Sequence, residues 1–265
     1  MNDYARELAG ARELAIQAGD VLVRYFQTDL SVEMKGWADP VTAADRESER
    51  LIRSGLQERF PSDGIDGEEE PPVRGSSGRI WLIDPLDGTA DFAGGLPIFA
   101  VVLTLIEAET PERPLVNVTY DPIRRELFHA VRGGGAFLND RPMRMRPRKD
   151  LASALIHVDF FWRRQEAWQT SLELARRITA VAPHVRTLGS AALAQAYVAA
   201  GRLDGYAKVV SGRYDIVGGN LLITEAGGIV TDLAGRPWRA RGSLLAAPPD
   251  LHSQLLSLTR DLELS

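Results

Sequence analysis

Three acidic groups in this 265-residue chain carry most of its chemical potential: Glu68-Glu69-Glu70 after Gly67, the run Asp84-Pro85-Leu86-Asp87, and Asp215 after Tyr214. Each lies beside the expected end of a secondary-structure element, where loops present functional side chains on a rigid scaffold. Asp84 and Asp87 bracket a short turn stiffened by Pro85, and the Leu86 carbonyl adds an uncharged oxygen, a donor set suited to a hard cation. If Glu68, Asp84, Asp87 and Asp215 converge within about 5 Å, each pair repels by about 3 kcal/mol at an effective dielectric of about 20. Two divalent cations would balance the four charges, and oxygen ligation favours magnesium or manganese over zinc. Taken singly, an aspartate is an ordinary turn former and a glutamate run an ordinary solvated loop, so specificity resides in the whole run.

Gly88 and Thr89 follow directly. A residue without a side chain lets backbone N–H groups approach an anion, and a helix starting there would favour phosphate at its N-terminus. With Asp45 as its acceptor, the Thr89 hydroxyl could orient or help deprotonate a water for in-line attack on phosphorus. The chemistry expected of these residues is hydrolysis of a phosphate monoester.

Positioning such groups requires particular elements. Leu8, Ala11, Ala15, Ala18, Leu22 and Tyr25 recur at three- and four-residue steps, which predicts an amphipathic helix over residues 4–26. Thr42-Ala43-Ala44-Asp45 has the form of a capping box, with Ile52, Leu56 and Phe60 on one face of the helix that follows. Ile80-Trp81-Leu82-Ile83 reads as a buried strand delivering Asp84 at its carboxyl end. Strand patterns at residues 99–106, 115–119, 126–131 and 136–138, separated by Pro- or Gly-bearing turns, predict an antiparallel meander. From about Asp150 the pattern alternates: strand 154–158, helix 163–182, helix 190–200, extended 203–209, helix 214–226 closed by Gly227-Gly228, strand 244–247 and a terminal helix 250–262. The expected class is α/β, with an α+β first part over 1–150 carrying most of the acidic candidates and an α/β second part over 151–265 carrying Asp215.

Composition narrows the alternatives. With 45% apolar and 25% charged residues the chain is an ordinary globular one. Its nine-residue apolar run Ile98–Ile106 is far short of the roughly 20 residues needed to span a bilayer. The absence of cysteine excludes disulfides and thiolate metal sites, and the N-terminus lacks the pattern of a secretory signal, so a cytoplasmic enzyme is expected. A net charge of −5 argues against a nucleic-acid surface, and the basic stretch Arg141–Lys149, with its two prolines, reads as a solvated edge strand running into a connection.

Trp81-Leu82-Ile83-Asp84-Pro85-Leu86-Asp87-Gly88-Thr89-Ala90-Asp91-Phe92 resembles the first signature of the inositol monophosphatase superfamily of lithium-sensitive, magnesium-dependent phosphatases. Tyr214-Asp215-Ile216-Val217-Gly218-Gly219, followed by Glu225-Ala226-Gly227-Gly228, resembles the second. Lesser motifs match at Pro40–Asp45, Gly67-Glu68-Glu69 and Gly189-Ser190-Ala191, so the resemblance covers nearly the whole chain.

The resemblance implies a layered αβαβα sandwich like that of inositol monophosphatase and fructose-1,6-bisphosphatase, commonly dimeric. It implies that Glu68, Asp84 and the Leu86 carbonyl bind one magnesium and Asp84, Asp87 and Asp215 another, with a third ion near Glu68. Asp45 and Thr89, with Glu68, then serve catalysis. Asp87, Gly88, Thr89 and Asp215 meet the substrate, and Gly189, Ser190 and Ala191 lie by its alcohol part. An inositol-1-phosphate-like substrate is implied first. A bisphosphate (fructose 1,6-bisphosphate or 3'-phosphoadenosine 5'-phosphate) or histidinol phosphate is the alternative, and a regulatory role with the transcription machinery is the non-enzymatic one.

Three positions depart from the family pattern. Lys208 stands where inositol-preferring members carry a glutamate, and a cation cannot accept hydrogen bonds from ring hydroxyls. It either meets a second anionic group or points elsewhere. Tyr214 replaces the usual tryptophan and Asp91 the usual asparagine, and neither removes a metal ligand.

Overall fold

The structure, a computed structural model, describes residues 4–28, 33–36, 39–160, 164–214 and 216–262. Among these the elements run α1 (Ala5–Tyr25), β1 (Glu33–Gly36), β2 (Asp39–Val41), α2 (Ala43–Arg59), β3 (Gly64–Gly67), β4 (Arg79–Asp87), α3 (Thr89–Ala93) and β5 (Ala100–Glu107). They continue with β6 (Val116–Asp121), β7 (Glu126–Val131), β8 (Gly135–Leu138), β9 (Arg141–Met143) and β10 (Leu155–Asp159). The remainder is α4 (Gln165–Thr179), β11 (His184–Arg186), α5 (Ala191–Ala199), β12 (Gly205–Ser211), α6 (Ile216–Glu225), β13 (Ile229–Thr231), β14 (Gly242–Ala247) and α7 (Pro249–Thr259).

Among the described residues, two large sheets organise the fold beside a two-stranded β1-β2 sheet. The larger follows the order β3-β4-β5-β6-β7-β8-β9 and the smaller β11-β10-β12-β14-β13. From β4 to β9 every neighbour is antiparallel and consecutive, the meander expected from the turn spacing. In the smaller sheet β10 runs parallel to both β11 and β12, so their carboxyl ends open on the same side.

Alternation along the strands builds three cores, since successive side chains in a strand point to opposite faces. Trp81 and Ile83 of β4 pack with Leu14, Leu22, Ile52 and Leu56 of α1 and α2, while Leu82 joins a central core with Leu193, Tyr206, Leu222 and Leu244. Ala207, Val209 and Leu245 face the opposite way, toward Leu174, Ile178, Leu251 and Leu255 of α4 and α7. The layers are therefore α1/α2, large sheet, α5/α6, small sheet, α4/α7, the αβαβα sandwich. Because α5 and α6 are enclosed by both sheets, their surfaces are mostly apolar on every side rather than striped, with the buried Gln195 donating to Asn220 between them at 2.8 Å.

The capping box at α2 is present: Thr42 accepts from the Ala44 amide, and Asp45 accepts from the Thr42 amide at 2.8 Å. The basic stretch does start as an edge strand, β9, although Met143 and Met145 beside its arginines are buried. β4 differs from its expected extent. It continues through Asp87 rather than ending at Ile83, with an irregularity where Asp84 faces Val102 and Asp87 faces Ala100. Three steps on β4 oppose two on β5, which is a bulge. The short strands β1, β2, β3, β11 and β13 carry too few residues to show an alternating pattern, and sequence reading passes over them.

Candidate active site

A cleft of about 680 Å³ opens between the carboxyl ends of the parallel strands and the β4–α3 corner. Glu68, Asp84, Leu86, Asp87, Gly88 and Thr89 line one wall, and Asp159, Phe160, Trp168, Lys208 and Val210 line the other. Thr187, Gly189, Ala191, Gly212, Arg213 and Tyr214 complete it.

The first wall is built by the bulge. Residues three apart in a regular strand face opposite sides of the sheet; the extra residue cancels that inversion, so Asp84 and Asp87 both reach the cleft. Asp84 Oδ1 accepts from the Leu86 amide at 3.1 Å, closing the tight turn. The buried Ser48 hydroxyl ties down the Pro85 carbonyl at 3.1 Å. Asp87 sits at the start of α5, where Oδ2 accepts from the Ala192 amide at 2.9 Å and from the Ser190 hydroxyl, and Oδ1 from the Ala191 amide at 3.3 Å. The amides at the start of α5 and the positive end of the helix dipole favour a negative charge at this position.

Two glycines are required by this corner. Gly88 has φ +96°, and a Cβ there would stand 2.6 Å from the Ile98 carbonyl; Gly189 has φ +82°, and its Cβ would stand 2.2 Å from Asp91 Oδ2. Both conformations are ones that side chains disfavour.

Thr89 links the wall to α2. Its hydroxyl donates toward the Leu86 carbonyl at 3.0 Å and Asp45 Oδ1 at 3.4 Å, and with one hydrogen to give, these acceptors compete. The other Asp45 oxygen is held by the Thr42 hydroxyl at 2.6 Å and its amide. Burial pushes the Asp45 carboxyl up from its ordinary value, against the lowering effect of the Thr42 hydrogen bonds. A carboxylate so placed is a better proton acceptor than an exposed one.

Glu68 enters from the end of β3, its amide bonded to the Ile83 carbonyl at 3.2 Å. The loop after it is held from beneath by Glu49 of α2, which accepts from the Glu69 and Glu70 amides at 2.8 and 3.0 Å and pairs with Arg53 at 2.7 Å. Glu49 is fully buried.

The expected donors Glu68, Asp84, Leu86 and Asp87 thus share one wall, while Asp215 lies outside the described residues. Among the described residues no three carboxylates or imidazoles stand close enough to hold an ion unaided. The donors are all oxygen, and such an open wall fits magnesium, which usually keeps several waters and completes its sphere with substrate phosphate. Gly189 and Ala191 line the cleft, whereas Ser190 between them is buried, donates to Asp87 and accepts from the Leu193 amide.

Lys208 faces the cleft with its charge already matched. Its Nζ lies 3.0 Å from Asp159 Oδ2, which also accepts from the Tyr206 hydroxyl at 2.9 Å, while Oδ1 faces His157 Nε2 at 3.5 Å. Asp159 and Lys208 occupy paired positions on parallel β10 and β12. Burial alone would raise the Asp159 carboxyl, but Lys208 and His157 outweigh it and hold the group well below the carboxylate range. Sequence reading missed Asp159, whose role depends on register between strands some 50 residues apart. It also missed Asp66, which accepts from Arg213 Nη1 at 2.7 Å and the Tyr214 hydroxyl at 3.1 Å. Burial, followed by the nearby Asp66, pushes Tyr214 up to about 12.

A sequence profile of the inositol monophosphatase family matches residues 3–264. An inositol-1-monophosphatase of Rhizobium meliloti is 40% identical over 84% of this chain and 84% of its own length. The Nus factor SuhB of Pasteurella multocida is 37% identical over 92% of this chain and 91% of its own. Among solved structures, the extragenic suppressor protein suhB of Bartonella henselae superposes with a TM-score of 0.88 at 34% identity, covering 94% of this chain and 96% of that one. Sandwich, bulged acidic corner and near full-length kinship agree: the chain belongs to the inositol monophosphatase family.

Proposed function

We propose that the protein hydrolyses the phosphate monoester of a small alcohol with magnesium as cofactor. The observation that carries this reading is Thr89, poised between Asp45 and the Leu86 carbonyl at the rim of a cleft walled by Glu68, Asp84 and Asp87. Glu68, Asp84, the Leu86 carbonyl, Asp87 and Asp215 would hold two or three magnesium ions, which would supply Lewis acidity and balance developing negative charge. Manganese has the same preference for oxygen and would serve in its place.

The protein's own groups do the rest. The Gly88 and Thr89 amides orient the phosphate, and the Thr89 hydroxyl fixes a water in line with the ester bond. Asp45 draws the proton of the attacking water through Thr89, aided by a carboxyl raised by burial; as the new P–O bond forms the ester P–O bond breaks, and the leaving alkoxide takes a proton from solvent to depart as the alcohol. Glu68 holds the attacking side, and Gly189 and Ala191 border the alcohol.

Kinship with proteins named inositol-1-monophosphatase makes inositol 1-phosphate the first substrate to try. Fructose 1,6-bisphosphate, 3'-phosphoadenosine 5'-phosphate and histidinol phosphate follow. A cytoplasmic homodimer inhibited by lithium belongs to the same proposal. The test is phosphate release from this panel with and without magnesium, for wild type and Asp87→Asn; equal rates in both proteins would sink the assignment.

A second reading is favoured by the relatives named Nus factor SuhB: association with the transcription machinery. Failure of purified transcription components to retain the protein in a pull-down counts against it.

A further inference from the structure

Opposite the acidic corner, the wall that would meet the alcohol part of a substrate has its polar groups engaged with one another. Asp159 faces Lys208, Tyr206 and His157. The Thr187 hydroxyl donates to the Val158 carbonyl at 2.7 Å, and the Tyr214 hydroxyl to Asp66. A polyol with vicinal hydroxyls needs acceptors and donors together, and unmatched ones are costly once water is displaced. This wall offers rings instead. Phe160 follows β10 directly, and its ring centroid lies 5.7 Å from that of Trp168 on the first turn of α4, with both residues lining the cleft.

Trp168 is not a core residue. The buried positions of α4 are Ala167, Ser171, Leu174 and Ile178, whereas Trp168 is 38% exposed. A large ring left partly in water at the mouth of a cleft is a ready surface for another ring, since offset or tilted aromatic pairs add attraction beyond area burial.

We infer that the cleft has an aromatic subsite, formed by Phe160 and Trp168, that takes phosphate monoesters whose alcohol carries a flat ring in preference to open-chain alcohols. The inference rests on the phosphatase reading for the other end of the substrate. It replaces the idea that Lys208 recognises a second anion, because that charge is matched by Asp159.

The test uses binding rather than turnover. Full-length protein with magnesium is titrated calorimetrically with 2-phenylethyl phosphonate and with butyl phosphonate, neither of which can lose phosphate. The ring compound binds wild type about tenfold more tightly. In Trp168→Ala that ratio falls to near one, Trp168→Phe restores most of it, and Leu172→Ala, one turn along α4, leaves it in place. Equal affinity of wild type for the two compounds overturns the inference. So does a ratio that survives Trp168→Ala while the oligomeric mass drops, which would assign the exposed ring to contact with a second copy. Hydrolysis of butyl phosphate without ring preference refutes the subsite alone; ring preference in binding with no hydrolysis of any ester refutes the phosphatase reading alone.

Discussion

The two walls of the cleft are made differently. The acidic wall comes mainly from one continuous run, Asp84 to Thr89, held by two local bonds, the Leu86 amide on Asp84 and Thr89 on the Leu86 carbonyl, and anchored from the distant start of α5, whose amides donate to Asp87. The opposite wall is collected from the ends of β10 and β12 and the start of α4, and rests on one ion pair and one pair of rings. A wall built on one short run, with its groups tied both to each other and to α2 and α5, tolerates little change. A wall of single side chains on separate elements can be altered piecemeal. On the proposed function the first wall would carry the reaction and the second the specificity, and substitutions on either side test that division.

The largest effect is expected on the acidic wall. Asp87→Asn removes the charge proposed to hold magnesium and keeps one oxygen to accept from the start of α5, so the fold should survive with some loss of stability. Turnover should fall on the order of 10²–10³-fold, the scale for losing one electrostatic contact to a reacting group. Rates of phosphate release alongside thermal unfolding check this, and an equally large stability loss would blur the distinction between the walls.

On the opposite wall the prediction reverses. Lys208→Met strips Asp159 of its counter-charge at a site where both side chains are only about 12–13% exposed. Breaking such a pair costs about 3 kcal/mol, or about 6–12 °C in Tm for a chain of this size. Turnover of a small ester such as butyl phosphate should change far less than in Asp87→Asn. A Tm within about 1 °C of wild type would show that the pair is not a structural one.

Ser190→Ala tests whether the acidic wall extends beyond its run. The hydroxyl touches Asp87 but not the cleft, so its loss should act through the carboxylate. Weakening of magnesium affinity by about 10–100-fold is the usual scale for a group that orients a ligand. Rates measured across a magnesium titration should recover at saturation, which loss of a directly acting residue would not do.

The same contrast explains what could be read from the sequence. That Asp45, Glu68, Asp84, Asp87 and Thr89 are candidates was legible because a capping box, a strand end and a six-residue turn are local patterns, and the structure brings them together. The long helices and the meander were legible for the same reason. The β4 bulge was not, because it is defined only against β5; nor was the support of the Glu68 loop by Glu49, whose spacing from Arg53 reads as an ordinary helical ion pair. Asp159 and Trp168 gave no signal at all. The alternatives for Lys208 could be narrowed only by the parallel register that sets Asp159 beside it.

The smallest predicted effect uses pH to separate the alcohol-side ion pair from the rest of the fold. His129 of β7 is buried away from the cleft; desolvation first, then Arg12, lower it to about 4 against the opposing pull of Asp140. Its imidazole is therefore neutral in the folded state, and between pH 6.5 and 4 the unfolded chain binds more protons, so stability falls as pH falls. At pH 5.5 the loss from this group is on the order of 1 kcal/mol, and His129→Phe should flatten that part of the curve. Asp159 is also depressed, so its contribution is present above the unfolded value of about 3.9 and lost only below it. The two windows follow one another. Denaturant unfolding across pH should show Lys208→Met changing the limb below about pH 4 and His129→Phe the limb above it. A common change in both limbs would mean that the alcohol-side pair is coupled to the large sheet and that the two walls are not independent.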